Sequence, residues 1–172
     1  TPKDRVFRSK AAVLRCVDFL PLEEGFEEAF LSGMKASPRA IPFRFLYDAQ
    51  GSALFDRICT LPEYYPARTE LSILEAHAGD IAKIIGPGAA LIELGSGSSI
   101  KTRLLLDRME APAAYMPIDV SREHLRAAAN GLAGDYPEID VIAVCADYSA
   151  HFPLPAVDGR RVGFFPGSTI GN

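Results

Sequence analysis

The chain has 172 residues, 48% of them apolar, with 18 Lys+Arg against 22 Asp+Glu, a net charge of −4 and a pI near 5.4. That is enough chain for one domain with a buried core, and an acidic balance without blocks of like charge argues against a nonspecific nucleic-acid binder, which needs a basic face. No apolar run approaches the roughly 20 residues of a membrane span, and Arg15 and Asp18 interrupt the stretch behind Lys3, Arg5, Arg8 and Lys10 that would otherwise read as a signal peptide. The expectation is a cytoplasmic protein with no membrane and no nucleic-acid partner. Cys16, Cys59 and Cys145 stand far apart without a Cys-x-x-Cys. They read as three buried thiols in a reducing compartment, with neither a metal site nor a disulfide framework.

Taken in chain order, residues 1 to about 40 carry an apolar stretch from Ala11 to Leu20. Leu22, Phe26, Ala29, Phe30 and Met34 follow at helical spacing and predict an amphipathic helix ended by Pro38 and Pro42. A short helix from Ser52 places Leu54, Phe55 and Ile58 on one face. The segment Leu61-Pro62-Glu63-Tyr64-Tyr65-Pro66 predicts a rigid loop whose prolines hold both tyrosines extended. Thr69 is the expected cap of a helix marked by Leu71, Leu74, Ala78, Ile81 and Ile85 and stopped at Gly86-Pro87-Gly88. Beyond it, short apolar runs alternate with helices, the pattern of βαβ units and a parallel sheet. Strands are predicted at Ala89 to Leu94, Tyr115 to Val120, Ile139 to Cys145 and Val162 to Phe165, with helices from Lys101 to Met109 and from Ser121 through Leu132. Residues 1–86 thus read as a mainly helical N-terminal extension and 87–172 as the first half of an α/β domain.

The first strand ends in Glu93-Leu94-Gly95-Ser96-Gly97-Ser98-Ser99. Glycines at a strand-to-helix turn let the backbone approach a ligand closely. A dinucleotide fingerprint requires a third glycine where Ile100 stands. A β-branched residue there argues against a pyrophosphate cradle and for a ligand without phosphates. Lys101, in the first turn of the next helix where the dipole disfavours a cation, is better explained as the partner of a ligand carboxylate. Asp119 closes the second strand, where a carboxylate accepts hydrogen bonds from ribose hydroxyls. Asp147 and Tyr148 close the third, suited to an exocyclic amine and a flat base. All of these lie at carboxyl ends of strands and converge on one crevice, which describes a site for an adenosine bearing an amino-acid tail: S-adenosylmethionine. Gly167-Ser168-Thr169-Ile170-Gly171 has the outline of a nucleophile elbow, yet His77, His124 and His151 give no sign of a triad.

Four segments, Phe45 to Asp56, Leu61 to Glu70, Glu93 to Arg103 and Gly167 to Asn172, resemble in one order the histidine-specific N-alpha-methyltransferases of ergothioneine biosynthesis. The resemblance implies a Rossmann-like class I methyltransferase fold with a helical N-terminal extension, and trimethylation of the α-amine of L-histidine to hercynine with S-adenosylmethionine. By position it implies cofactor contacts at Gly95, Lys101, Asp119, Asp147 and Tyr148. It implies substrate contacts at Tyr64 toward the imidazole, at Asn172 toward the amine and carboxylate, and at Gly167 lining the same site. Tyr47 would lie near the reacting amine as the catalytic residue, orienting it or a water beside it, while Tyr65 packs in its loop. No residue stands out as a general base.

Members of that family continue further, so the resemblance implies an incomplete sheet here, a missing C-terminal half as partner, and Phe164 and Phe165 on an uncovered apolar edge. Two other readings stand beside this one. One is a noncatalytic cofactor-binding fragment that works through a partner chain. The other is an NAD(P)-dependent oxidoreductase.

Overall fold

The computed structural model describes residues 13–20 and 25–167. Five strands form one parallel sheet: β1 (Leu14–Asp18), β2 (Ala90–Leu94), β3 (Ala114–Asp119), β4 (Asp140–Cys145) and β5 (Arg161–Phe164), in the order β1-β4-β3-β2-β5. The helices are α1 (Phe26–Lys35), α2 (Ala49–Cys59), α3 (Tyr65–Ile85), α4 (Ile100–Leu106) and α5 (Arg122–Asp135), with a 3-10 turn at Phe43–Phe45. This is the α/β Rossmann-like architecture expected from the alternation after Gly88.

β2, β3 and β4 are nearly continuous apolar runs because both sheet faces are covered. On one face Leu91, Tyr115, Val141 and Ala143 pack with Ala82 and Ile85 of α3, Leu105 and Leu106 of α4, and Leu125 and Leu132 of α5. On the other face Ile92, Met116, Ile118, Ile142 and Val144 meet Tyr148, Phe152 and Val157 of the connection leading to β5. The chain progresses outward from β2 through β3 to β4 and then returns to the far side of β2 as β5. The reversal leaves a crevice at the carboxyl ends of β2 and β5, the place where open α/β sheets bind ligands.

Several expectations change. The segment before α1 contributes β1, an exposed edge strand paired in parallel with β4 from Leu14↔Val141 to Asp18↔Cys145. Its five residues carry no helical or alternating pattern. The strand is fixed from outside, by Val141 N–H donating to Val13 O at 2.9 Å and by Arg122 Nε on Asp18 Oδ2 at 2.5 Å. Of the three thiols only Cys145 is buried; Cys59 is half-buried and Cys16 is exposed. Phe164 of β5 and Phe165 just after it are half-buried, Phe164 packing on the main core and Phe165 edge-on to Tyr148 at 5.8 Å, so neither ring is left uncovered. α3 begins at Tyr65, well before Thr69. Pro66 sits in its first turn, where a missing N–H costs nothing, and Tyr65 is therefore helical and exposed while Tyr64 alone stays outside the helix.

Candidate active site

A cavity of about 520 Å³ opens at the crevice between β2 and β5. The turn Gly95–Lys101 with Glu93 beneath it forms one wall, Pro166 and Gly167 after β5 form a second, and side chains of α2, α3 and their connections, among them Tyr47 and Tyr64, close the third. Of the sequence-predicted residues, Tyr47, Tyr64, Gly95, Lys101 and Gly167 share this cavity. Asp119, Asp147 and Tyr148 lie outside its wall, at the ends of β3 and β4. Asn172, and Ser168 to Gly171 of the elbow-like outline, lie outside the described residues, as do Lys3, Arg5, Arg8, Lys10 and Leu22.

The turn is held by hydrogen bonds that the strands provide. Gly95 and Ser96 N–H both donate to Ile118 O of β3, at 2.8 and 3.3 Å. Gly97 N–H donates to Asp119 Oδ2 at 3.0 Å, and Asp119 Oδ1 accepts from Ser121 N–H at 3.0 Å. Ser121 stands at the N-cap of α5 without a side-chain cap bond, so Asp119 does the tying there. Gly95 has φ +68°, and a Cβ on it would lie 3.3 Å from the Tyr148 hydroxyl, which itself is half-buried between Phe43 and Phe165. Burial raises the Tyr148 phenol above its ordinary value.

Ser99 enters α4 with φ 54°, a left-handed conformation that costs an L-residue roughly 1–2 kcal/mol. A buried polar network holds it. Glu93, 1% exposed, accepts from Thr102 Oγ1 at 2.5 Å and from the Tyr115 hydroxyl, and with that proton committed Ser99 Oγ donates to the Tyr115 oxygen at 2.9 Å. Burial pushes the Glu93 carboxyl up to about 7 against the lowering hydrogen bonds, and burial likewise pushes the Tyr115 phenol well up. Ser96 is buried as well, and its Oγ has no hydrogen-bond partner among the described residues. A buried hydroxyl without a partner is costly unless something else meets it.

On the helical side, Asp48 caps α2 by accepting Gly51 N–H at 2.7 Å, and a Cβ on Gly51 would strike Leu46 O at 2.0 Å, so that turn admits glycine alone. The turn delivers Tyr47 to the cavity, where its ring meets Phe55 edge-on at 5.9 Å, and Phe55 meets Tyr64 at 6.1 Å. Arg68 donates to Leu61 O at 2.8 Å and Pro62 O at 2.7 Å, clamping the turn that presents Tyr64. Sequence reasoning assigned no role to Phe55, Arg68, Glu70, Ser96, Ser99 or Tyr115. For Arg68 and Glu70 the available signal was their place inside the Leu61 to Glu70 segment; for Tyr115 it was a polar tip in a strand otherwise buried. Glu70 pairs with Lys101 through Oε2 and accepts Gly167 N–H at Oε1, joining the walls of the cavity.

The model of a histidine-specific, S-adenosylmethionine-dependent methyltransferase family matches residues 26–172. The chain belongs to this family. It is 46% identical over 145 residues to a histidine N-alpha-methyltransferase of Mycolicibacterium smegmatis and 41% identical over 144 residues to one of Mycobacterium tuberculosis, each match covering 82% of this chain and 44% of the relative. Over 94 residues it is 43% identical to the ergothioneine biosynthesis protein 1 of Neurospora crassa, covering 53% of this chain and 11% of that protein. The chain therefore spans less than half the length of these curated relatives. Membership fits the absent third glycine at Ile100 and disfavours the oxidoreductase reading. No helix among the described residues is long and apolar enough to cross a membrane.

The family's cofactor fits the residues present. A glycine turn with positive φ at Gly95 and Gly97, a Tyr148 hydroxyl that a Cβ at Gly95 would crowd, and the orphaned Ser96 Oγ make a cradle that backbone-close contact with a ligand would complete.

Proposed function

We propose that this chain is the N-terminal portion of a cytoplasmic methyltransferase that trimethylates the α-amine of L-histidine to hercynine, in the ergothioneine pathway. The observation that carries the reading is the cavity at the β2–β5 crevice in which the glycine turn faces Tyr47 and Tyr64. S-adenosylmethionine, when bound, supplies a methyl group on a sulfonium. Gly95 would admit it closely, Lys101 would take its carboxylate, Asp119 its ribose hydroxyls, and Asp147 its exocyclic amine, with Tyr148 against the base. On the facing wall Tyr64 would meet the imidazole of histidine, and Gly167 and Asn172 the amino-acid end.

Transfer of a methyl group to an amine is an in-line displacement, so this chain's contribution is chiefly orientation, an effect that reaches roughly 7–11 kcal/mol in favourable cases. The attacking nitrogen must first lose its proton, which a desolvated site favours. Tyr47, held by the Asp48 cap and the Phe55 ring, would orient that amine or a water beside it. The pocket would be completed by a C-terminal half, continuous with this chain or supplied as a partner.

Incubation of this chain together with the C-terminal half that would complete its pocket, with S-adenosylmethionine and L-histidine, followed by mass spectrometry, is expected to show histidine gaining three methyl groups. Calorimetry is expected to give heat with S-adenosylhomocysteine and none with NADH. Binding of S-adenosylhomocysteine with histidine left unmethylated would favour the noncatalytic module, and heat with NADH alone would overturn the methyltransferase reading.

A further inference from the structure

Lys101 and Glu70 form a partly exposed ion pair inside the cavity, their side chains 27% and 26% exposed. Lys101 projects from the first turn of α4, directly behind the glycine turn, and Glu70 from α3 across the crevice. Glu70 Oε1 is further fixed by Gly167 N–H, so the anion is built into the wall.

A lone lysine at that point would attract any carboxylate. Paired with a fixed glutamate, it does something more selective. A ligand bearing only a carboxylate gains the Lys101 attraction but meets repulsion from Glu70; a ligand bearing only an ammonium meets the reverse. A ligand with both charges on neighbouring atoms places carboxylate on Lys101 and ammonium on Glu70, and every nearest contact among the four charges is then attractive. Such arrangements reject the wrong ligand by repulsion as much as they hold the right one. The Ser96 hydroxyl, buried and unpartnered in the same turn, supplies a further polar group on the cofactor side.

We propose that Glu70 is a specificity-determining residue that receives the α-ammonium of an amino-acid zwitterion whose carboxylate lies on Lys101, and that this zwitterion is the amino-acid tail of the cofactor. The inference rests on the methyltransferase reading above. The position of Lys101 behind the glycine turn favours the cofactor's tail over the amino-acid substrate, which carries the same two charges.

The test is a cycle of two ligands against two proteins, read by calorimetry on the full chain. The ligands are S-adenosylhomocysteine and its analogue lacking the α-amine. Unmodified protein is expected to bind the analogue at least about tenfold more weakly, the usual worth of a charge-assisted hydrogen bond. In Glu70→Gln the two ligands are expected to bind within about threefold of each other, because the amine loses its partner and the analogue loses its repulsion. Glu70→Asp, which keeps the charge, is expected to restore most of the discrimination. Equal binding of the two ligands by unmodified protein overturns the proposal without any variant, so a folding defect in Glu70→Gln does not shelter it. A tenfold penalty that survives in Glu70→Gln overturns it also. A parallel arm compares L-histidine with its des-amino analogue, imidazolepropionate, as competitors of methyl transfer. If Glu70→Gln erases that penalty and leaves the cofactor's intact, the assignment to the cofactor's tail is wrong. Failure of unmodified protein to bind S-adenosylhomocysteine at all would instead strike the methyltransferase reading itself.

Discussion

The two long walls of the cavity are built differently. The sheet wall rests on strands whose core residues are almost fully buried, and its turn is tied by backbone bonds to Ile118, by Asp119 and by the network of Glu93, Thr102, Tyr115 and Ser99. The helical wall stands on a lighter scaffold: Leu46, Leu54, Ile58, Leu61 and Tyr65 around it are exposed, and its tyrosines are placed by a cap, an arginine clamp and edge-on rings. The contrast separates two tasks. On the proposed reading the cofactor meets the wall that strand ends enforce, and the amino-acid substrate meets the wall set by a few local contacts. Changes on the sheet wall should therefore act on binding and folding together, and changes on the helical wall on turnover.

The largest effect is expected at Gly95. Gly95→Val forces a β-branched residue to φ +68° and drives its Cβ toward the Tyr148 hydroxyl. Calorimetry should find no measurable binding of S-adenosylhomocysteine, and retained binding would mean that the turn does not meet the cofactor. Glu93 comes next. Its carboxyl rises from 4.5 to about 7 on folding, so the folded chain holds the proton more tightly than the unfolded one. The stabilisation is full below pH 4.5 and is lost as pH rises through 7, by roughly 3 kcal/mol at 1.36 kcal/mol per pKa unit. Denaturation midpoints across that window should fall with rising pH in the unmodified chain, and Glu93→Gln should flatten the slope; an equal slope in both would remove Glu93 as its source.

On the helical wall, Tyr47→Phe is expected to lower turnover about tenfold, below the roughly 100- to 10,000-fold of a general acid–base group because Tyr47 orients the amine without transferring its proton, while S-adenosylhomocysteine affinity stays within twofold. A matching loss of cofactor affinity would erase the distinction between the walls. The smallest effect is expected at Asp48→Ala, which removes the α2 cap at a cost of about 1 kcal/mol in thermal or urea unfolding.

Much of the sheet wall is legible in the sequence. Continuous apolar runs broken by helices specify a parallel sheet, and the glycines after β2 mark the turn that lines the crevice, because those signals are local in the chain. β1 was not legible. Leu14 to Asp18 has no periodic pattern, and its strand exists only because the exposed edge of β4 offers backbone partners. The start of α3 was misplaced because a proline reads as a helix breaker from its neighbours, although the same ring is harmless in a first turn. Lys101 is legible as a cation in want of an anionic partner, but the Glu70 carboxylate that pairs with it lies 31 residues away, on a different helix.

What the sequence alone determined was the kind of domain and the glycine turn at the end of β2: patterning and turn chemistry act over a few residues and are written in them directly. What only the tertiary structure decided was which side chains share the cavity. Glu70 reaching Lys101 and Gly167, Tyr115 reaching Glu93 and Ser99, and Asp119 reaching the amide of Gly97 are pairings between distant segments. The first forms because the sheet order returns β5 to the side of β2 near α3, the other two because β3 pairs beside β2, outcomes of packing that no local signal encodes.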